Sequence, residues 1–327
     1  MKKTNIRILL SCFFVLSFAT VQKARAQFDA QFSQYWAVTN YYNPGYAGQT
    51  DKLNVTAAYS QQLSGFDNAP KTTYFAADCP VKFMGVKQGV GLIFSNDKLG
   101  FFTNQTLGLQ YSAKLKFLNG QIGLGGQLGI VSIGFDPSKV TMYDESTGTV
   151  ISGTSSDELV PTSKVSGTKL DAALGAFYTH RLFYTGISVT HFLSPVINWG
   201  ETNQFKVSPV YYFTGGSNIK TNSPFLTLQP SFLIKSDFAD YKLDLSCRGT
   251  YTWNGKEFLA GVSYSPSTSA TFMIGAMMKN VRLTYSYELF TNGIGAASGS
   301  HDLVLGYSMD MNFGQKAKNK HKSVRIL

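Results

Sequence analysis

The sequence predicts an all-β fold, a transmembrane antiparallel β-barrel of about 14 strands with both termini periplasmic. Three observations point there. The chain has 15% charged and 14% aromatic residues, against the ~25% charged content usual in soluble domains. After residue 50 it reads as a nearly unbroken series of period-two segments, several of them 11–15 residues long. Sandwich strands usually run to about five or six residues, whereas a tilted membrane strand needs about 9–11. The connections between segments also sort by parity into short and long sets, as short periplasmic turns and longer external loops require.

The first 26 residues read as a signal peptide. Lys2, Lys3 and Arg7 form a basic start, Ile8 to Ala19 an apolar run, and Ala24-Arg25-Ala26 a cleavage site, so the mature chain is expected to begin at Gln27. Cys12 after Leu9-Leu10-Ser11 resembles an acylation site, but the apolar run continues past it through Phe18. No later run of 18 apolar residues is present to form a transmembrane helix.

Residues 27–50 have no clean period. They are rich in Tyr, Phe and Gln, with a turn at Asn43-Pro44-Gly45, and are assigned as an N-terminal plug or periplasmic segment. The barrel is placed over 51–313, with strands at about 53–61, 72–80, 87–95, 103–117, 121–133, 168–180, 182–193, 204–216, 224–236, 240–252, 256–265, 269–278, 280–290 and 301–313.

The clearest hairpin spans 103–131. Leu107, Leu109, Tyr111, Leu115 and Phe117 alternate with Gly108, Gln110, Ser112, Lys114 and Lys116, and alternation resumes after Asn119-Gly120. A two-residue turn at 119–120 would set Phe117 against Ile122, Leu115 against Leu124, Lys116 against Gly123 and Lys114 against Gly125. Each lysine then faces a residue with no side chain.

If both termini are periplasmic, the even-to-odd connections are periplasmic turns. These include 119–120, 180–181, 254–255 and 279–280, with 81–86 and 217–223 longer. The external set includes 62–71, 96–102, 134–167, 194–203 and 291–300, so the long connections fall mostly on one side. The loop 134–167 carries Asp136, Asp144, Glu145, Asp157 and Glu158 among Ser, Thr and Gly. It reads as a solvated loop, or as one that binds a partner or folds into the lumen.

The net charge of +10 overstates the body of the chain. Five positive charges leave with the signal peptide, and Lys316, Lys318, Lys320, Lys322 and Arg325 lie in a basic C-terminal tail, 314–327. The tail is expected to be disordered and able to contact an acidic partner or the inner leaflet. The remainder is neutral and offers no basic face for nucleic acid. Cys79 and Cys247 read as two apolar-facing thiols rather than a disulfide.

The polar phases of the strands supply candidate lumen-facing residues: Lys114, Lys116, Lys242, Asp244, Arg248, Arg282 and Glu288, with Lys169, Asp171, Lys206, Lys235, Glu257 and Asp310. A salt-bridged interior is the plain reading. Their mixed signs argue against a strongly ion-selective pore. His180, His191, His301 and His321 show no metal spacing, and His301-Asp302 at a strand start is the one weak catalytic candidate. No enzyme activity, metal or cofactor is expected.

Several of these segments together resemble the PorP/SprF family of outer-membrane proteins, associated with type IX secretion and gliding motility in Bacteroidetes. The carriers are Gln31-Phe32-Ser33-Gln34-Tyr35 and Asn43-Pro44-Gly45-Tyr46-Ala47-Gly48; Gln62 to Pro80, ending Asp78-Cys79-Pro80; Gly91 to Asp97, running to Gly100; Pro230 to Lys235; and Tyr285-Ser286-Tyr287-Glu288 with Gly299 to Leu303. The family more often has Ala at 45, Asp at 288 and Glu at 302. The resemblance implies a cell outer-membrane, multi-pass barrel that supports export or surface attachment of cargo with C-terminal sorting domains. It also implies periplasmic partners in the secretion machinery, and carries over no catalytic residue. Gln31, Phe32, Tyr35, Asn43, Pro44 and Tyr46 are the candidate partner-binding or lumen-plugging residues. A solute channel or transporter is the alternative function.

Overall fold

A computed structural model describes residues 29–83, 85–137, 141–144, 149–152, 163–199, 203–291 and 299–311. The expected signal peptide, the expected basic tail and half of the 134–167 loop lie outside these residues. The barrel strands are β1 (Lys52–Gln61), β2 (Lys71–Phe83), β3 (Val86–Leu99), β4 (Phe102–Phe117), β5 (Gly120–Phe135), β8 (Val165–Thr179), β9 (Phe183–Thr190), β12 (Val210–Ser217), β14 (Leu226–Ser236), β15 (Tyr241–Trp253), β16 (Lys256–Ser265), β17 (Ser269–Met278), β18 (Val281–Phe290) and β19 (Ser300–Asp310). Short strands β6 (Thr141–Asp144) and β7 (Thr149–Ser152) pair with each other, as do β10 (Val196–Trp199) and β11 (Asn203–Lys206); β13 (Ile219–Lys220) lies beside β14.

The fourteen barrel strands form one closed antiparallel sheet. β1 pairs with β19, and β12 pairs with β14 to complete the ring. Closure removes the edges that would leave backbone groups unpaired in lipid. Pro230, which has no N–H to give, stands just beyond the last β12–β14 pair, Gly216 with Ser231.

Most connections at one end are tight, at 84–85, 118–119, 180–182, 254–255 and 279–280, with a longer one at 218–225. The opposite end carries 136–164, 191–209, 62–70 and 291–299. β1 begins and β19 ends at the tight-turn end, as an even strand count requires. Two connections are shorter than the sequence suggests. Gly85 (φ 80°) and Gly100 (φ 59°) supply the left-handed backbone that lets β2–β3 and β3–β4 continue to 84–85 and 100–101.

The β4–β5 turn sits one residue earlier than expected. Its central residues are Leu118 (φ 42°) and Asn119 (φ 60°), and Gly120 opens β5 opposite Phe117. Lys114 therefore faces Gly123, and Lys116 faces Gln121. The shift is two residues in register, so no side chain changes face.

The strand expected at 204–216 is interrupted. Only 210–217 joins the barrel, while Asn203–Lys206 pairs back on Val196–Trp199. Pro195 and Pro209 bracket this ribbon, and Pro209 cannot donate to a continuing ladder. Lys206 is thereby moved off the barrel wall. Ile197 and Val207 instead pack on the inward-facing Val131 and Ile133, and Trp199 Nε1 donates to the Ile133 carbonyl at 3.0 Å.

Alternate residues of each strand face outward and are apolar. Leu107, Leu109, Tyr111, Leu115 and Phe117 are all exposed, Leu109 by 67%. Facing lipid, such side chains complete a nonpolar band around the barrel. Cys79 and Cys247 are both free thiols. The buried core lies inside the barrel, where inward strand residues meet the chain from 29 to 50.

Candidate functional site

The chain from Asp29 to Thr50 runs through the barrel lumen. It is folded as short turns, Tyr35–Ala37, Thr39–Tyr42 and Pro44–Tyr46. Without a two- or 3.6-residue period it has no face to offer a sheet or a long helix. Its backbone groups are satisfied by its own turns and by the barrel wall instead.

At the long-loop end Asp29 is buried beside His191. Oδ1 of Asp29 lies 2.8 Å from His191 Nε2, and the other ring nitrogen lies 2.6 Å from Asp171 Oδ2. Tyr212 and Thr190 donate to Asp29 Oδ2, and Lys235 Nζ donates to the Asp29 carbonyl at 2.8 Å. Asp171 and Lys235 were legible as lumen-facing residues. Asp29 and His191 were not, because nothing in their neighbourhoods signals that they meet.

Gln31 Oε1 accepts from Lys242 Nζ at 2.5 Å, and Lys242 lies 3.6 Å from Asp244. Phe32 packs edge-on to Tyr41 and beside Tyr74, in a buried cluster with Val38 and Ile93. Ser33 donates through its backbone to Asp302 Oδ2 (2.7 Å) and through its hydroxyl to Glu288 (3.0 Å). Gln34 bonds Ser286 and Thr284, and Tyr35 OH shares hydrogen bonds with Ser231 (3.0 Å) and Ser246 (2.8 Å).

Lower in the lumen the fit is backbone against backbone. Asn43 is 0% exposed. Its side-chain oxygen accepts from Gly45 N at 2.9 Å, and its Nδ2 donates to the carbonyls of Ala176 (3.1 Å) and Ile187 (3.2 Å). A Cβ on Gly123 would strike the Gly45 carbonyl, one on Gly125 the Pro44 carbonyl, and one on Gly89 the Ala47 carbonyl. Lys114, 4% exposed, donates to the Gly45 carbonyl and to Gln49 Oε1, both at 2.8 Å. Gly48 N donates to Asp78 Oδ2 at 2.8 Å. Tyr46 stacks edge-on against Phe177, and Pro44 is buried.

Of the expected lumen residues, Lys114, Lys235, Lys242, Glu288 and Arg248 thus contact the threaded segment. The Arg248 guanidinium lies 3.9 Å above the Trp36 ring, and that of Arg282 lies 6.0 Å from it. Asp244 accepts from Ser265. Lys116, next to the turn, is exposed and bonds nothing in the lumen. Gln31, Phe32, Tyr35, Asn43, Pro44 and Tyr46 all face the barrel's own wall. Trp36 was not singled out from the sequence, and Gln34 and Asp78 entered only as carriers of the family resemblance, because their roles depend on partners far along the chain.

His301 and Asp302 do not form a pair. Successive strand residues point to opposite faces, so Asp302 is buried in the lumen while His301 meets Tyr285 OH at 2.7 Å. His191 has both ring nitrogens occupied by carboxylates. Among the described residues no group of three or more His, Cys, Asp or Glu could hold a metal.

Residues 24–307 match the family described as type IX secretion system membrane protein PorP/SprF. No curated protein matches the chain. Among solved structures the fold is similar to the CymD monoaromatic hydrocarbon channel, at 12% identity over 89% of this chain and 96% of that one, with a TM-score of 0.51. It is also similar to the Pseudomonas putida toluene transporter TodX, at 9% identity over 86% and 95% of the two chains, with a TM-score of 0.48. At 12% identity the likeness to CymD speaks to the fold alone, that of an outer-membrane barrel.

Proposed function

The chain belongs to the PorP/SprF family of type IX secretion system membrane proteins, and on that premise we propose that this outer-membrane barrel supports export or surface attachment of cargo proteins carrying C-terminal sorting domains. The strand ends at Lys52 and Asp310 and the tight turns then face the periplasm, where the machinery's other components and the basic tail meet. Use of the same barrel in gliding motility is part of this reading.

The observation that carries it is the occupied lumen. A channel for bulk solutes needs a continuous water path, whereas residues 29–50 contact the wall from His191 at one end to Gly89 at the other. A barrel filled by its own chain is suited to holding a partner at its rim. Residues 27–50 are proposed as the plug that shapes that docking end.

Deleting residues 27–48 is expected to abolish surface display of a sorting-domain cargo while the barrel still assembles in the outer membrane. The intact protein should give no large steady conductance in planar bilayers. Normal display after the deletion, or a large conductance from the intact protein, would replace this reading with a solute channel or transporter.

A further inference from the structure

Between the threaded segment and the β8–β18 wall, toward the tight-turn end, lies a cavity of about 560 Å³. Trp36 and Tyr46 of the segment form its inner side, Arg248 and Arg282 project from the wall, and Glu257 lines the rest together with Thr, Gln and Asn side chains and a few aromatic and aliphatic ones. Its one carboxylate, Glu257, forms an ion pair with neither arginine. Among the described residues neither arginine takes part in an ion pair, and Arg282 makes a long contact from Nη2 to Met277 Sδ at 3.9 Å.

Arg248 is 6% exposed. Its Nε is buried without a hydrogen-bond partner, and so is Trp36 Nε1 beneath it. A buried cation left unpaired is costly. Three donor groups, two guanidiniums and one indole, therefore border the same space with no carboxylate paired to them.

We propose that this cavity is a carboxylate-binding site. Arg248 and Arg282 grip the anionic group, Trp36 Nε1 gives a further hydrogen bond, and the ligand enters from the tight-turn end. A guanidinium fork matches a carboxylate in two parallel hydrogen bonds, and the threonine and glutamine lining suits the polar backbone of a short peptide. The carboxylate can belong to a small organic acid or to an acidic peptide segment. The assignment does not depend on which membrane face the tight turns occupy.

Calorimetric titration of the full-length protein in detergent tests it, with succinate, the amidated peptide Gly-Asp-Gly-Asp-Gly, its Gly-Asn-Gly-Asn-Gly counterpart and inorganic phosphate as probes. A carboxylate probe is expected to bind at least tenfold more tightly than the Asn peptide or phosphate. Tighter binding of the Asp peptide than of succinate identifies a peptide site, and the reverse order a small-acid site. The double variant Arg248→Gln/Arg282→Gln should weaken the preferred probe at least tenfold. Met277→Glu, which supplies an internal carboxylate beside Arg282 and keeps both arginines, should do the same, so the test survives if the double variant does not fold. No carboxylate binding at millimolar concentration, equal binding of the Asn peptide, tighter binding of phosphate, or unchanged affinity in folded variants would overturn the assignment.

Discussion

Asp29 Oδ1 and His191 Nε2 lie 2.8 Å apart, joining the first described residue of the chain to the end of β9 across 162 positions of sequence. With Asp171 on the other ring nitrogen, a ring protonated at both positions donates to both carboxylates. This buried cluster fastens the threaded segment at the long-loop end. Removing one member of a buried charged pair costs about 3–5 kcal/mol. Asp29→Ala is expected to free the segment, so that chymotrypsin cleaves at Tyr35, Trp36, Tyr41 or Tyr42 while the barrel keeps its heat-modifiable mobility on gels. Protection equal to that of the parent protein would show that the fastening lies elsewhere.

The second fastening is steric. Gly89 and Gly125 leave space occupied by the carbonyls of Ala47 and Pro44. Gly125→Val should displace the Asn43–Gly48 turn, with a penalty of about 1–3 kcal/mol for overpacking. Gly126→Ala points outward and meets only Leu174 Cδ2 at 3.8 Å and the Ala173 carbonyl at 3.9 Å, so it should be silent. Equal protease sensitivity of the two variants would separate the glycines from the docking of the segment.

Lys114 and Lys116 occupy the same face of one strand but differ in role. Lys114→Met leaves Gln49 Oε1 without its lysine donor and weakens the satisfaction of the Gly45 carbonyl, a loss of about 1–3 kcal/mol. Lys116→Met changes a solvated side chain and is expected to stay within about 0.5 kcal/mol. Thermal midpoints in detergent compare them, and a Lys116→Met loss as large as that of Lys114→Met would contradict the placement.

Leu109 lies near the middle of β4 and faces outward. Leu109→Arg should cost about 2–4 kcal/mol in folding into vesicles, as expected for a cation at the bilayer midplane. An unchanged folding equilibrium would mean that this face does not meet lipid.

The proposed orientation is tested by labelling. Asp67→Cys, in the 62–70 connection, should react with a membrane-impermeant maleimide on intact cells, and Asn254→Cys should react only after the outer membrane is opened. The opposite pattern would turn the barrel over.

Period-two alternation and turn residues, both local properties, were enough to determine the closed barrel of fourteen strands, its apolar outer face and the lumenal setting of Lys114, Lys242, Arg248 and Glu288. A pattern of period two records which residues share a face, but not what fills the space that the face encloses. The threaded segment has no period, and its contacts join residues far apart in sequence: Asp29 with His191, Ser33 with Asp302, Gly45 with Lys114. Only closure of the barrel brings these together. The glycine opposite Lys114 read as empty room. The tertiary structure fills that room with the Gly45 carbonyl, because a lysine buried in the lumen needs an acceptor and a glycine lets the backbone come close enough to be one.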